Sequence, residues 1–238
     1  MIRFEKMPRA LHIRFLIIPV LFFVLFSFPL PGQRKRTVER GDLSIYFMGE
    51  KVGYEEYVWE ENERGYRLSV KGRMTKPIAI EVDNLRIEMD GSFIPLRYFF
   101  KGSMGGIQQE VSSVFSEGTV VNTIVVNRQR QSLQSKIKRD AFLLPNPLYS
   151  PYIVIAKKYG CTLEEKISQS AYIIPQLETS LTLEPSENDP CLLLLQINGT
   201  QIELETNEYG QLIILQIPAQ NLRVTNIISS SNGHPLTL

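Results

Sequence analysis

"IAIEVDNLRIEMDGSFIPLRYFFK" (residues 78–101) alternates apolar and polar residues, then changes phase partway along. Ile78, Ile80 and Val82 share one parity, whereas Leu85, Ile87 and Met89 share the other. Side chains on a strand point to opposite faces in turn, so a slip at Asp83 or Asn84 would expose half of these residues. Both halves stay inward only if one extra residue is housed in a β-bulge, and a bulge bends the strand. The stretch therefore predicts a curved antiparallel sheet. Asp90-Gly91 is a tight hairpin signal. On the return strand Ile94, Leu96, Tyr98 and Phe100 are expected to share a face, with Pro95 marking an edge or a second bulge.

The same grammar extends in both directions. "LSIYFMGEKVGYEEYVWE" (43–60) gives two strands around a turn at Gly49–Lys51, and "YRLSVKGRM" (66–74) alternates Tyr66, Leu68, Val70 and Met74 with Arg67, Ser69, Lys71 and Arg73. Such alternation marks a sheet with one wet face. Downstream, "TVVNTIVV" (119–126) is apolar enough on both faces to be central. In the basic run Arg128, Arg130, Lys136, Lys138 and Arg139 the pieces "RQR" and "KIK" keep a period of two, which reads as a solvated strand face, with an anionic partner patch as the alternative. "AYIIPQLETSLTL" (171–183), "CLLLLQI" (191–197), "QIELET" (201–206) and "QLIILQI" (211–217) complete the strands, with turns at Asn198-Gly199 and Tyr209-Gly210. The expectation is a mainly β domain over 41–228, an open half-barrel of about 11–12 strands, and a flexible tail over 229–238.

One segment departs from this pattern. "SPYIVIAKKYG" (150–160) has Ser150 and Pro151 as an N-cap and N1 pair, Lys157 and Lys158 in the last turn, and Gly160 where a left-handed residue ends a helix. Tyr152, Ile155, Ala156 and Tyr159 form an apolar stripe that Ile153 and Val154 widen. A helix this short must lie on something, and the concave face of the sheet is the surface available.

Residues 1–32 differ from the rest. Arg3, Lys6, Arg9 and Arg14 precede the apolar run Phe15–Phe28, the layout of a secretory signal peptide. An uncleaved N-terminal anchor through residues 15–28 is the alternative, and membrane contact is expected through that segment alone. Localisation is expected in the periplasm or cell envelope. Without residues 1–32 the chain carries 22 Lys+Arg against 24 Asp+Glu. A near-neutral balance does not suit nucleic-acid binding. Cys161 and Cys191 are the two cysteines, and an oxidising compartment permits a disulfide between them.

Catalytic constellations are sparse. The two histidines, His12 and His234, fall in the leader and the tail, so histidine-based catalysis and imidazole metal sites have no residues in the body. Glu55 and Glu56 point to opposite faces of a strand, and the remaining carboxylate clusters sit at turns. No cofactor and no enzymatic activity are expected. What remains is an aromatic and aliphatic inventory suited to an apolar ligand, with Trp59, Tyr98, Phe100, Tyr152, Ile155 and Tyr159 as candidate lining residues.

A bent sheet behind a signal peptide, covered by one helix late in the order, resembles the Lol-type lipoprotein carriers of the bacterial envelope. "SIYFMGEKVGYEEYVWE", "KPIAIEVDNLRIEMDGSFIPLRYFFKG" and "ETNEYGQLIILQIP" also look like an uncharacterised family of bacterial envelope β-sheet proteins, some fused ahead of hydrolase domains. The likeness covers about residues 41–227 as architecture and turn placement. It implies a half-barrel with a helical plug. The aromatic and aliphatic inventory separately suggests a hydrophobic or lipid-like small molecule bound between sheet and helix as the partner. An interaction module for an envelope enzyme or assembly is the alternative, with an outer-membrane β-barrel behind both.

Overall fold

The computed structural model describes residues 37–230, Asn146 and Gln176 excepted. The expected leader and the last eight residues lie outside that range. In chain order the strands are β1 (Thr37–Phe47), β2 (Glu50–Asn62), β3 (Gly65–Met74), β4 (Ile80–Met89), β5 (Pro95–Met104), β6 (Ile107–Ser116), β7 (Thr119–Val126) and β8 (Gln129–Lys136). There follow β9 (Phe142–Leu143), helix α1 (Tyr152–Tyr159), β10 (Ile167–Ile173), β11 (Leu177–Pro185), β12 (Leu192–Ile197), β13 (Thr200–Thr206), β14 (Leu212–Ile217) and β15 (Leu222–Ser230).

The phase change in β4 is a bulge. Val82 pairs with Gly102 and Asn84 with Lys101, which leaves Asp83 as the extra residue. A second shift, between Glu88 and Met89, sets Met89 opposite Pro95. Pro95 is consequently buried with Tyr98 and Phe100, while Leu96 turns out to solvent, so Leu96 does not share their face as its parity suggests. Ile78 also lies outside the buried set, ahead of β4. The Asp90-Gly91 turn is longer than a two-residue hairpin: the Asp90 carboxylate accepts the N–H groups of Ser92 and Ile94 and holds a wider loop.

All neighbours in the sheet are antiparallel except β9 and β10, and their order is β8-β7-β6-β5-β4-β3-β2-β1-β15-β14-β13-β12-β11-β10-β9. The chain therefore runs around the sheet as a meander, with β1 joined to β15 in the middle. The two edges, β8 and β9, are consecutive in sequence. Residues 137–141 alone connect them, a reach of about 20 Å at full extension. A 15-stranded sheet whose edges are tied so closely must curl into an open barrel.

Side chains stitch the seam where backbone pairing stops. Asn122 on β7 donates from Nδ2 to the Tyr172 hydroxyl on β10 and to the Pro175 carbonyl, both at 2.7 Å, and accepts from Ser113 Oγ at 2.6 Å. The Phe115 ring meets Tyr172 edge to face at 6.2 Å.

The sheet has more strands than the 11–12 expected. Pro175 lies in a turn that divides "AYIIPQLETSLTL" into β10 and β11, and the two-residue β9 carries too little sequence to show a period. β7 is second from the edge rather than central, with Val121 exposed. β8 is the edge, exposed along most of its length, and its basic residues face solvent as the period of two predicts. Strand β1 starts at Thr37, ahead of the residue 41 expected for the domain, and β15 runs on through Ser229 and Ser230, which the sequence assigns to the tail.

Candidate ligand-binding cleft

Helix α1 runs inside the barrel. Ile153, Val154, Ile155 and Ala156 are all buried, so the helix is covered on every side rather than along one stripe. The tyrosines that were to anchor the stripe, Tyr152 and Tyr159, are the half-buried ends. Beside Val154, among Ile87, Met89 and Phe142, the space left has a volume of only about 10 Å³. The helix is a plug.

Its N-terminal end is held by a side chain from the sheet. Glu55 on β2 points inward at 2% exposure, and its carboxylate accepts the N–H groups of Tyr149 at 2.9 Å and Ser150 at 2.7 Å. Ser150 was expected to cap through its hydroxyl, but the helix carries no side-chain cap bond. The capping oxygen comes from Glu55 because the turn before the helix is buried, where water cannot serve its orphan donors. A negative group at this end also suits the helix dipole. Burial pushes the Glu55 carboxyl upward, against the opposing pull of Ser150 and the two backbone N–H groups.

The C-terminal end is closed by several independent contacts. Lys157 Nζ lies 2.5 Å from Glu39 Oε2 on β1, and Glu39 also accepts from Gln211 at 2.9 Å and from the Tyr57 hydroxyl at 3.1 Å. Asn226 donates to that hydroxyl at 3.0 Å. Tyr57 reaches this position across Gly41, its pairing partner, where a Cβ would stand 2.4 Å from the tyrosine ring. Gly160 has positive φ but, at φ 40° and ψ −131°, not the left-handed helical conformation expected of it, and it continues into a 3-10 turn, Gly160–Thr162. A Cβ there would meet the Gly210 backbone at 2.9 Å, so the β13–β14 loop packs directly on the helix end. Cys161 and Cys191 form a disulfide that ties this end to the segment entering β12.

Open space lies at the other end. A cleft of about 350 Å³ separates the segment leading into α1 from the rim carrying the β3–β4, β12–β13 and β14–β15 connections. Leu144, Leu148 and Tyr152 form its helix side, and Ile197, Ile202 and Ile217 its sheet side. Asn198, Thr200 and Gln220 add polar groups at the rim.

Of the six residues singled out in the sequence, Tyr152 alone lines this cleft. Trp59, Tyr98, Phe100 and Ile155 are core residues at 0–4% exposure. Trp59 stacks on Tyr66 and Phe93, with centroids 5.3 and 6.2 Å away. Tyr159 packs against Phe142 near the sealed end. Aromatic size selected these residues, but large side chains in a curved sheet go first to filling its interior. The lining that composition missed is aliphatic and lies partly in loops. Pro145 and Pro147, ahead of the helix, were the available signal of a rigid wall.

The fold and cleft thus define an open antiparallel β-barrel plugged by a buried helix. No family model matches this chain, and no curated protein matches it. Among solved structures, the crystal structure of a DUF1089 family protein from Pseudomonas aeruginosa is similar over 82% of this chain and 96% of that one, at 11% identity and a TM-score of 0.39.

Proposed function

We propose that this chain is an exported, non-catalytic protein that holds a hydrophobic or lipid-like ligand in the cleft beside the N-terminal end of α1. The observation that carries this reading is the cleft itself: about 350 Å³, walled by aliphatic side chains and rimmed by a few hydrogen-bonding groups. The groups at hand suit recognition rather than proton transfer, since the Tyr152 hydroxyl is pushed up to about 12 by burial. The apolar run of the leader and the Cys161–Cys191 bridge support export to an oxidising compartment. An apolar, helix-filled interior is the reverse of the polar lumen of an outer-membrane barrel.

The uncharged dye N-phenyl-1-naphthylamine tests the cleft directly. Its fluorescence is expected to rise saturably with one site per chain, and Thr200→Trp, which fills the half-buried rim, is expected to weaken binding by about fivefold or more with the unfolding midpoint retained. Absence of saturable binding, or equal binding by the variant, would overturn the reading. Extraction of the protein from its native envelope should also yield an apolar molecule by mass spectrometry.

The edge strand β8 favours a second reading, that of an interaction module for an envelope enzyme or assembly. Among the described residues β8 pairs with β7 alone, and it presents Arg130 and Lys136 to solvent. That reading predicts a partner encoded beside this gene, a hydrolase or transport component, whose binding Gln134→Pro abolishes by removing an N–H that faces away from β7 and so blocking strand addition.

A further inference from the structure

We infer that the cleft selects an uncharged amphiphile: a single alkyl chain ending in a hydroxyl, ester or amide rather than a carboxylate, phosphate or ammonium group. This rests on the cleft being the ligand site and adds the chemistry of the head group.

Among the described residues, none of those lining the cleft carries a charge. Its polar side chains are amides and hydroxyls: Asn198, Thr200 and Gln220 at the rim, Tyr149 and Tyr152 on the helix side. The carbonyl oxygen of Asn198 already accepts from Thr179 at 2.6 Å, which leaves its NH₂ group to donate. A donor of this kind matches a neutral oxygen on the ligand and offers no counter-ion for an acid.

The charges nearby do not change that account. Lys76, next to the lining residue Pro77, is paired with Glu50 at 2.8 Å. Behind the helix side of the cleft stands Glu55, whose carboxylate is committed to the N–H groups of Tyr149 and Ser150. Whatever charge Glu55 carries is negative and opposes an anion. A cation gains little there, because both carboxylate oxygens already accept hydrogen bonds. Transferring an unpaired ion out of water into such walls is costly, whereas a hydroxyl or amide needs only the hydrogen bonds the rim supplies. The volume suits a chain of roughly a dozen carbon-sized groups, taking each at about the ~30 Å³ of a water molecule.

Calorimetric titration with decan-1-ol below its aqueous solubility limit, and with decanoate and decylammonium below their critical micelle concentrations, separates the outcomes. At pH 8 decanol is expected to bind about tenfold or more tightly than either ion. Lowering the pH through the carboxyl range neutralises decanoate and should bring its affinity to within about threefold of decanol measured at the same pH. Gln220→Lys, at an exposed rim position, is expected to strengthen decanoate binding at pH 8 by about fivefold or more. Decanoate or decylammonium binding the unaltered protein as tightly as decanol at pH 8 would overturn the head-group inference while leaving the cleft a ligand site. Failure of all three compounds to bind would overturn the cleft reading and this inference with it.

Discussion

The two ends of α1 are finished in opposite ways. At the C-terminal end a disulfide, an ion pair, a tyrosine–asparagine bridge and a direct glycine–glycine approach converge, and the helix is fixed to β1, β12 and the β13–β14 loop. At the N-terminal end one carboxylate, Glu55, holds the entering turn, and the space beyond it is a cleft. A plug needs to be secured at only one end to stay in the barrel. The other is set by the Glu55 carboxylate and by the burial of Leu148, Tyr149 and Ser150, and the space beyond them is left open.

That contrast can be broken from the sealed end first. Cys161→Ser combined with Cys191→Ser opens a loop with a sequence separation of 30, which should cost about 3–4 kcal/mol in urea unfolding on the loop-entropy account. Dye binding in the cleft should survive under conditions where the variant is folded. Loss of binding along with the bridge would mean that the two ends are not independent.

Glu55→Ala attacks the open end. It leaves the N–H groups of Tyr149 and Ser150 buried without an acceptor, an expected loss of about 3 kcal/mol. Because Tyr149 lines the cleft, dye affinity should fall as well. Glu55→Gln keeps one acceptor oxygen and should recover part of both losses. Gly41→Ala returns to the sealed end and is expected to cost about 2 kcal/mol, since the new methyl forces the Tyr57 ring away from Glu39 and Asn226. Its effect on the cleft should be small, which chemical denaturation paired with dye titration can check.

The architecture was largely legible in the sequence and the site was not. Curvature showed in the phase change at Asp83, because a period of two is strict enough that a single extra residue announces itself. The helix showed in its Pro151 and Gly160 boundaries and in the break from alternation. Glu55 did not show. Its neighbour Glu56 made the pair look like ordinary strand alternation, and only the topology reveals that the inward carboxylate lands beneath a helix entry almost a hundred residues later. Glu39 was hidden for the same reason, as its partners Lys157 and Gln211 are more than a hundred residues away. The cleft escaped because its walls come from short segments of many elements, none with a pattern of its own. Local periodicity encodes which face is buried, whereas a site assembled from loops at one rim depends on how the strands are ordered around the barrel.

The finest test concerns pH, and it again separates the two ends. Burial raises the Glu55 pKa above its ordinary value, so the folded chain holds this proton more tightly than the unfolded chain does. Below the unfolded pKa of about 4.5 both states are protonated and the contribution of the group to stability is fully present. As pH rises the unfolded chain ionises first, and the contribution is lost progressively until the folded pKa is passed. In Glu55→Gln the side chain is neutral throughout, so this part of the slope should vanish. The stability of the unaltered protein relative to Glu55→Gln should therefore fall as urea unfolding is followed from pH 4 to pH 7. A difference that stays constant, or grows with pH, would mean that the N–H groups of Tyr149 and Ser150 outweigh desolvation, and that an ionised carboxylate is the preferred anchor of the open end.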